Sequence, residues 1–513
     1  MTYLRMAGIT KYYPGVVAND NVDFEVAEGE IHALVGENGA GKSTLVKILY
    51  GMERLDAGQI FLNGERVSIP NPQAAIKLGI DMVHQHFQLV PSFSVAENVT
   101  LGYEPRQGPL IDRRKMIEQV AELSQRFGLA VDPTARVAAL SVGVQQRVEI
   151  LKLLYRDARL LILDEPSAVL IPQEVEELFG VLRLLVREGR TVIFITHKLR
   201  EVMAICQRAT VLRAGRVVGQ VHVADTTPQT IAQMMVGRDL RPVQRGRTQA
   251  RTDAQAKLAV SGLCVKDDRG LTVVHDAGFE IRPGEIVGLA GVEGNGQREL
   301  LESLVGLRVP ERGDIILDGK VVTRERIRRR RELGLAVIPE DRSRAGLSSA
   351  STLQENIIST RYYRPPLSRW GLLLTGRTRS RAWEAVNTYD IRVRGPSVRV
   401  RTLSGGNAQK VVVARELADL PQVLIAAQPT RGLDVGATEF VHEELLRLRA
   451  ANSAILLISA DLDELLSLSD RLLVIFEGRI VGELAAKDAT REKLGMLMAG
   501  RELSDHAETQ SIA

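Results

Sequence analysis

Along the chain, short runs of uninterrupted apolar residues alternate with stretches whose apolar positions recur at helical spacing. "EIHALVG" (30–36), "RLLILDE" (159–165) and "TVIFITH" (191–197) read as strands buried on both faces. The first is followed by a glycine-rich turn and then by "GKSTLVKILYG", in which Leu45, Ile48 and Leu49 fall on one helical face. Strand, glycine turn and helix in that order predict an α/β fold with a largely parallel sheet. Two stretches break the pattern. Residues 243–257, "VQRGRTQARTDAQAK", are polar and carry no apolar period, which predicts a linker, and the chain after Arg501 reads as a polar, frayed tail. No apolar run approaches the ~18–20 residues needed to cross a bilayer.

The pattern occurs twice. "VAEGEIHALVGENGAG" returns as "IRPGEIVGLAGVEGNG", with Gly36 and Gly291 separated by 255 residues, and "ALSVGVQQRVEI" returns as "TLSGGNAQKVVV", with Ser141 and Ser404 separated by 263. Two domains of one plan are expected, 1–242 and 258–500, the second longer by about eight residues between these landmarks. A length of 513 residues agrees with two or more cores, and 45% hydrophobic with 25% charged residues describes a globular protein. The start, "MTYLRMAGITKYYPG", has neither an apolar h-region nor a small-residue cleavage site, so secretion is not expected. Cys206 and Cys264 stand alone, without disulfide or metal spacing, which suits a reducing cytosol. A net charge of +4 is carried by arginines spread along the chain, and no nucleic-acid partner is expected from it.

The chemistry is concentrated in the first half. Gly36, Glu37, Asn38, Gly39, Ala40, Gly41, Lys42, Ser43 and Thr44 fit G-x-x-x-x-G-K-[ST], whose backbone N–H groups cradle phosphates at the positive end of the following helix. Lys42 can reach the β- and γ-phosphates, and the Ser43 hydroxyl can ligate Mg²⁺. Asp164 ends an apolar strand where it can hold the metal shell, and Glu165 beside it is placed to act as general base. A lone histidine at a strand end, such as His197, is more often structural; its position after the acidic strand offers a γ-phosphate sensor instead.

A phosphate loop, "LSxG" ahead of "LLILDEP", and then "ITH" is the motif order of ABC-transporter ATPase domains, and the chain resembles that family twice over nearly its whole length. The resemblance implies tandem P-loop NTPase domains of ABC ATPase type, each with a mainly parallel core sheet and a helical subdomain, using ATP and Mg²⁺. It implies that Gln85, in "MVHQHF", touches the metal and relays contact with a membrane partner, and that Tyr13 stacks under adenine. The fused pair is similar to simple-sugar importers, and "GIDMVHQHFQLVPSFSVAENV", "VIPEDR" and "AAQPTRGLDVGA" look most like the branch that imports nucleosides with a lipoprotein binding protein. The implied partners are two integral-membrane permease subunits and an extracytoplasmic substrate-binding lipoprotein. The implied place is the cytoplasmic face of the membrane, reached through the permeases.

The second half lacks this chemistry at each matching position. Gln297 stands for Lys42, Arg298 and Glu299 for Ser43 and Thr44, Ala427 and Gln428 for Asp164 and Glu165, Glu340 for Gln85 and Ala460 for His197. Yet it keeps "LSGGN" (403–407) where the first half has "LSVGV". In the family each nucleotide lies between the phosphate loop of one domain and the signature of the other. The resemblance therefore implies that Ser404, Gly405, Gly406 and Asp434 serve the ATP bound by Lys42, while Ile171 stands opposite Asp434 in the repeat. A soluble tandem ATPase acting on the ribosome also has two such domains, but generally with a long charged helical linker and two sound sites. The run "RERIRRRRELG" (324–334) reads as a solvated arginine face, with contact to anionic lipid as its alternative.

Overall fold

The computed structural model describes residues 2–84, 87–167, 170, 172–237, 254–292 and 294–500. The chain divides into two compact units, Met1–Arg241 and Pro242–Ala513. In the first unit the elements that carry the site are β1 (Thr2–Tyr13), β2 (Val16–Ala27), β3 (Ile31–Gly36), α1 (Lys42–Leu49), β4 (Ala57–Leu62), β5 (Glu65–Val67), β6 (Ile80–Val83), α2 (Val142–Tyr155), β7 (Leu160–Asp164), β8 (Thr191–Ile195), β9 (Arg208–Arg213) and β10 (Arg216–His222). Strands β10-β9-β3-β8-β7-β6 form the core sheet in that order. All neighbours in it are parallel except β10, which pairs antiparallel with β9 at the edge. Every residue of β3 and β8 is buried, as a sheet covered on both faces requires, whereas edge strand β10 alternates exposed and half-buried positions.

A second sheet, ordered β2-β1-β4-β5 and antiparallel throughout, lies over the same core. Leu4, Met6, Ile9 and Phe24 from this sheet, Leu45, Ile48 and Leu49 from α1, and Ile193 and Ile195 from β8 belong to one buried cluster. Helix α1 is thus held between two sheets, which fixes where its N-terminus points. It stops at Tyr50 because Gly51 follows in the left-handed region, against the carbonyl of Asn71.

The second unit repeats the plan with β11 (Leu258–Lys266), β12 (Thr272–Ile281), β13 (Ile286–Ala290), α3 (Gln297–Val305), β14 (Arg312–Leu317), β15 (Lys320–Val321), α4 (Ile327–Glu332), β16 (Leu335–Ile338), α5 (Gly405–Leu417), β17 (Val423–Ala427), α6 (Val435–Ala450), β18 (Ala454–Ile458), β19 (Arg471–Phe476) and β20 (Arg479–Ala485). Its core sheet, β16-β17-β18-β13-β19-β20, has the same order and the same antiparallel edge. The repeat extends to capping. Ser94 with Glu97, and Thr352 with Glu355, each form a capping box at the start of a short helix.

Candidate functional site

The phosphate-type loop begins where β3 ends. At Gly36 a Cβ would collide with the carbonyl of Leu212, and at Gly41, with φ 102°, it would collide with that of Ala18. Only glycine lets the chain pass both points. Gly41 is the N-cap of α1 and supplies no side-chain acceptor, and the first turn carries no acidic residue, so its N–H groups face an open end suited to an anion. The Lys42 side chain is buried beneath the loop and donates to the carbonyls of Gly36 at 2.7 Å and Glu37 at 3.0 Å. Ala40 N–H donates to Glu37 O at 3.1 Å, and Gly215 N–H to Ala40 O at 3.0 Å. Asn38, Gly39 and Ser43 are exposed, and Thr44 is half-buried. Tyr13, at the end of β1, is 38% exposed, with the Lys11 ammonium 5.5 Å from its ring centroid.

The two acidic residues sit at the end of β7. Glu165 adopts φ 49° and donates its N–H to Ile195 O at 2.9 Å, which turns its side chain toward the end of β8. There His197 Nδ1 lies 2.9 Å from Glu165 Oε1. This hydrogen bond, opposed by burial, holds the Glu165 carboxyl below the usual range. Burial first, and the charge of Glu165 second, push Asp164 up to about 6. Neighbouring carboxyls held apart in proton affinity are a recurrent feature of reactive sites. Buried Glu201 braces both turns, accepting from Ser167 Oγ at 2.5 Å and from Thr196 Oγ1 at 3.1 Å. Sequence reasoning passed over Glu201, which reads there as one helix residue among others.

The second unit keeps the backbone and carries different side chains at the matching positions. At Gly291 a Cβ would lie 2.7 Å from Gln297 Nε2, so this amide takes the place under the loop that the lysine takes in the first unit. Arg298 is drawn to Glu302 at 2.9 Å on its own helix. Gln428 repeats the left-handed conformation of Glu165, φ 46°, and its N–H donates to Ile458 O at 2.7 Å. Its side-chain oxygen accepts instead from the backbone N–H of Ala460 at 3.1 Å. Ala427, where the metal holder would stand, is buried. Glu340 pairs with Arg431 at 2.5 Å.

The signature segments differ in the opposite sense. Ser404 caps α5, its Oγ accepting from Asn407 N–H at 3.4 Å and from Asn407 Nδ2 at 3.0 Å. Asp434 caps α6 by accepting from Ala437 N–H at 2.8 Å. A Cβ at Gly406 would stand 3.2 Å from the Ala437 methyl and 3.9 Å from Asp434 Oδ2, so the two helix starts are neighbours. Arg342 ties them together. It donates to Arg431 O at 2.8 Å and Gly432 O at 3.5 Å, and its Nη2 would lie 2.9 Å from a Cβ at Gly405. In the first unit Ser141 caps α2 without a side-chain bond, and a Cβ at Gly143 would overlap the Glu174 carboxylate. Glu174 and Ala437 occupy matching places 263 residues apart, so the first signature faces a negative charge where the second faces a methyl group.

The structure therefore groups the loop residues 36–44 with Asp164, Glu165 and His197 in one unit, and Ser404, Gly405, Gly406 and Asp434 in the other. Gln85 and Ile171 lie outside the described residues. Among the described residues no cluster of three or more His, Cys, Asp or Glu is arranged to hold a metal by itself.

The sequence profile of the ABC transporter domain family matches residues 19–168 and again 274–431. A guanosine import ATP-binding protein of Bacillus subtilis is 47% identical over 497 residues, 97% of each chain. A nucleoside import ATP-binding protein of Lactococcus lactis is 44% identical, covering 98% of this chain and 99% of its own. A ribose import ATP-binding protein of Streptomyces avermitilis is 43% identical, covering 96% and 92%. Among solved structures, an archaeal ribosome recycling factor in complex with a ribosomal stalk protein shares the fold, with TM-score 0.63, 22% identity, and coverage of 96% of this chain and 92% of that one.

Proposed function

The chain belongs to the ABC transporter family and is an ATPase with two fused ABC ATPase domains, and from that premise we propose that it energises the import of nucleosides through one working composite site. The observation that carries the single-site reading is the matched pair of strand ends. Glu165 and Gln428 share backbone conformation and backbone bond, but only Glu165 carries a carboxylate held by a histidine.

In this reading the backbone N–H groups around Gly39–Lys42 receive the phosphate chain, and Lys42 leaves its loop carbonyls for the phosphate oxygens. Tyr13 stacks on the base. Glu165, kept ionised by His197, accepts a proton from the attacking water, and His197 orients that carboxylate. Mg²⁺ fits the residues present. Asp164 is a half-buried carboxyl that meets a second negative charge, and a cation would relieve both the desolvation and the repulsion. With one firm carboxylate, the Ser43 hydroxyl and Gln85 as the protein's donors, the ion would arrive with the nucleotide phosphates, where it neutralises charge. Ser404, Gly405 and Gly406, with Asp434 behind them, then supply a hydroxyl and N–H donors to the γ-phosphate from the second domain.

No helix among the described residues is long and apolar enough to cross a membrane, so in this reading two permease subunits provide the channel. A binding lipoprotein outside the membrane delivers the substrate, and the chain works at the cytoplasmic face. The substrate class is supported by the guanosine and nucleoside import relatives at 47% and 44% identity. The ribose import relative, at 43%, supports the second reading, an importer of ribose or galactose. A strain lacking this chain should lose uptake of labelled guanosine and keep that of ribose. Loss of ribose uptake with nucleoside uptake intact overturns the substrate while leaving the ATPase reading in place.

A further inference from the structure

Residues 361–381 of the second unit contain six arginines and no Asp, Glu or Lys. Within them Ser368–Arg369 and Leu372–Leu373 pair as a two-stranded hairpin whose tip is Trp370 and Gly371. Both tip residues have positive φ, 53° and 80°. That turn favours Asn-Gly, and a bulky residue in its first place is a conformational outlier, so the turn does not account for the tryptophan. Its ring is 90% exposed, and Leu372, beside it, is 72% exposed. Leu373, Leu374 and Tyr362 are exposed as well.

The hairpin is continuous with the arginine run of α4. The Arg328 guanidinium lies 3.6 Å from the ring centroid of Tyr363, at the hairpin's base. Glu332 is shared by Arg328 at 3.3 Å, Arg329 at 3.6 Å and Arg364 at 3.9 Å, so one carboxylate answers three cations. Exposed Arg324, Arg326, Arg328 and Arg329 line a cleft of about 1050 Å³ that also takes in Glu311, Asp314, Glu325 and Glu332. The matching hairpin of the first unit, Arg106–Gln107 with Leu110–Ile111, has a Gly-Pro tip and is flanked by Glu104 and Asp112. Its leucine is also exposed, so what sets the second unit apart is the tryptophan and the run of arginines, of which Arg361, Arg364 and Arg381 pair with carboxylates outside the run while Arg369, Arg377 and Arg379 are exposed.

We propose that this surface docks the second unit on an anionic lipid bilayer. An exposed apolar tip with exposed Arg369, Arg377 and Arg379 near it in the chain needs no preformed pocket in a fluid interface, where tryptophan and leucine settle at the headgroup boundary and arginines meet lipid phosphates. The inference goes beyond the ATPase reading and uses only the chain's work at a membrane.

The chain has two tryptophans, so Trp383→Phe leaves Trp370 as the only indole reporter. With the full-length protein, vesicles of phosphatidylcholine plus phosphatidylglycerol should shift its emission to the blue and co-sediment the chain. Raised salt should weaken both effects, and phosphatidylcholine alone should produce neither. Trp370→Ser should lower the bound fraction severalfold with ATP hydrolysis unchanged. The triple variant Arg369→Gln, Arg377→Gln, Arg379→Gln, which keeps the indole, should abolish the dependence on phosphatidylglycerol. Absence of any blue shift, or equal vesicle binding by Trp370→Ser, overturns the proposal. So does loss of binding to detergent-solubilised permeases in Trp370→Ser without vesicle affinity in the parent, which would assign the surface to a protein partner.

Discussion

Gly143 and Gly406 sit at the same step of the same helix in the two units, with different side chains against them. The first faces the Glu174 carboxylate and the second the Ala437 methyl. At the strand ends the contrast runs the other way, with Glu165 held by His197 in the first unit and Gln428 bonded to backbone in the second. In the reading proposed above, each unit keeps one half of what a nucleotide site needs and lacks the other. Under independent drift the losses would not sort this way. Under crossed pairing, one site collects every sound part and the other collects every damaged one. The fold itself is indifferent to the difference. Sheet order, left-handed strand ends and glycine turns are preserved in both units, because packing maintains them whether or not chemistry follows.

The largest break in this comparison is expected at the base. Glu165→Gln should lower ATP turnover of the assembled transporter by roughly 10²–10⁴-fold. Gln428→Glu, alone or with Gln297→Lys, should add no turnover, since Ala427 and Ala460 still lack the metal and histidine functions. A gain from either would mean the second site is one or two substitutions from activity.

Asp164→Asn should lower Mg²⁺-dependent turnover, by less than Glu165→Gln does, and stabilise the nucleotide-free protein. The folded pKa of Asp164 is raised from 3.8 to about 6, so ionisation costs folding free energy at any pH above that value. At roughly 1.4 kcal/mol per unit this is on the order of 2–3 kcal/mol. The gain should be full at pH 8, shrink as pH falls through 6, and vanish below about 4, where the carboxyl is protonated in both states. Denaturant unfolding at these pH values measures it.

Arg342→Ala removes the donor shared by the Arg431 and Gly432 carbonyls and the support beside Gly405. A lost charged hydrogen bond of about 1.5–3 kcal/mol predicts a fall in turnover of about tenfold or more, with ATP affinity at the Lys42 loop unchanged. The KM and kcat of the assembled ATPase separate these. The smallest effect is expected from Glu174→Ala. It relieves crowding at the signature of the damaged site, and turnover should change by less than about twofold.

The core strands were legible in the chain because strands buried on both faces are unbroken apolar runs, and the phosphate loop because its glycines answer to local geometry. The antiparallel sheet was not. Strand β1 breaks its alternation in pairing with β2, with register shifts between Met6 and Ile9 and again between Ile9 and Lys11, which hides a period of two. That Asp164, Glu165 and His197 lie together could be read from their positions at strand ends, where the structure places them. Their brace could not, because Glu201 reaches Ser167 across 34 residues with no local signal. The same holds for Arg342, which meets the carbonyls of Arg431 and Gly432 about 90 residues away, and for Glu174 against Gly143. Such contacts depend on which helices the fold makes neighbours.

Crossed pairing is tested most directly by one substitution made in both units. Ser404→Arg places bulk and removes a donor at the signature of the unit that lacks a base, and Ser141→Arg does the same in the unit that has one. Losing a donor aimed at developing charge costs ~2.7–4 kcal/mol, on the order of 10²–10³ in rate. With expression and complex assembly matched, transport-coupled ATP hydrolysis should fall by that amount in Ser404→Arg and remain near the parent's in Ser141→Arg. Equal impairment of the two, or greater impairment in Ser141→Arg, would contradict the account.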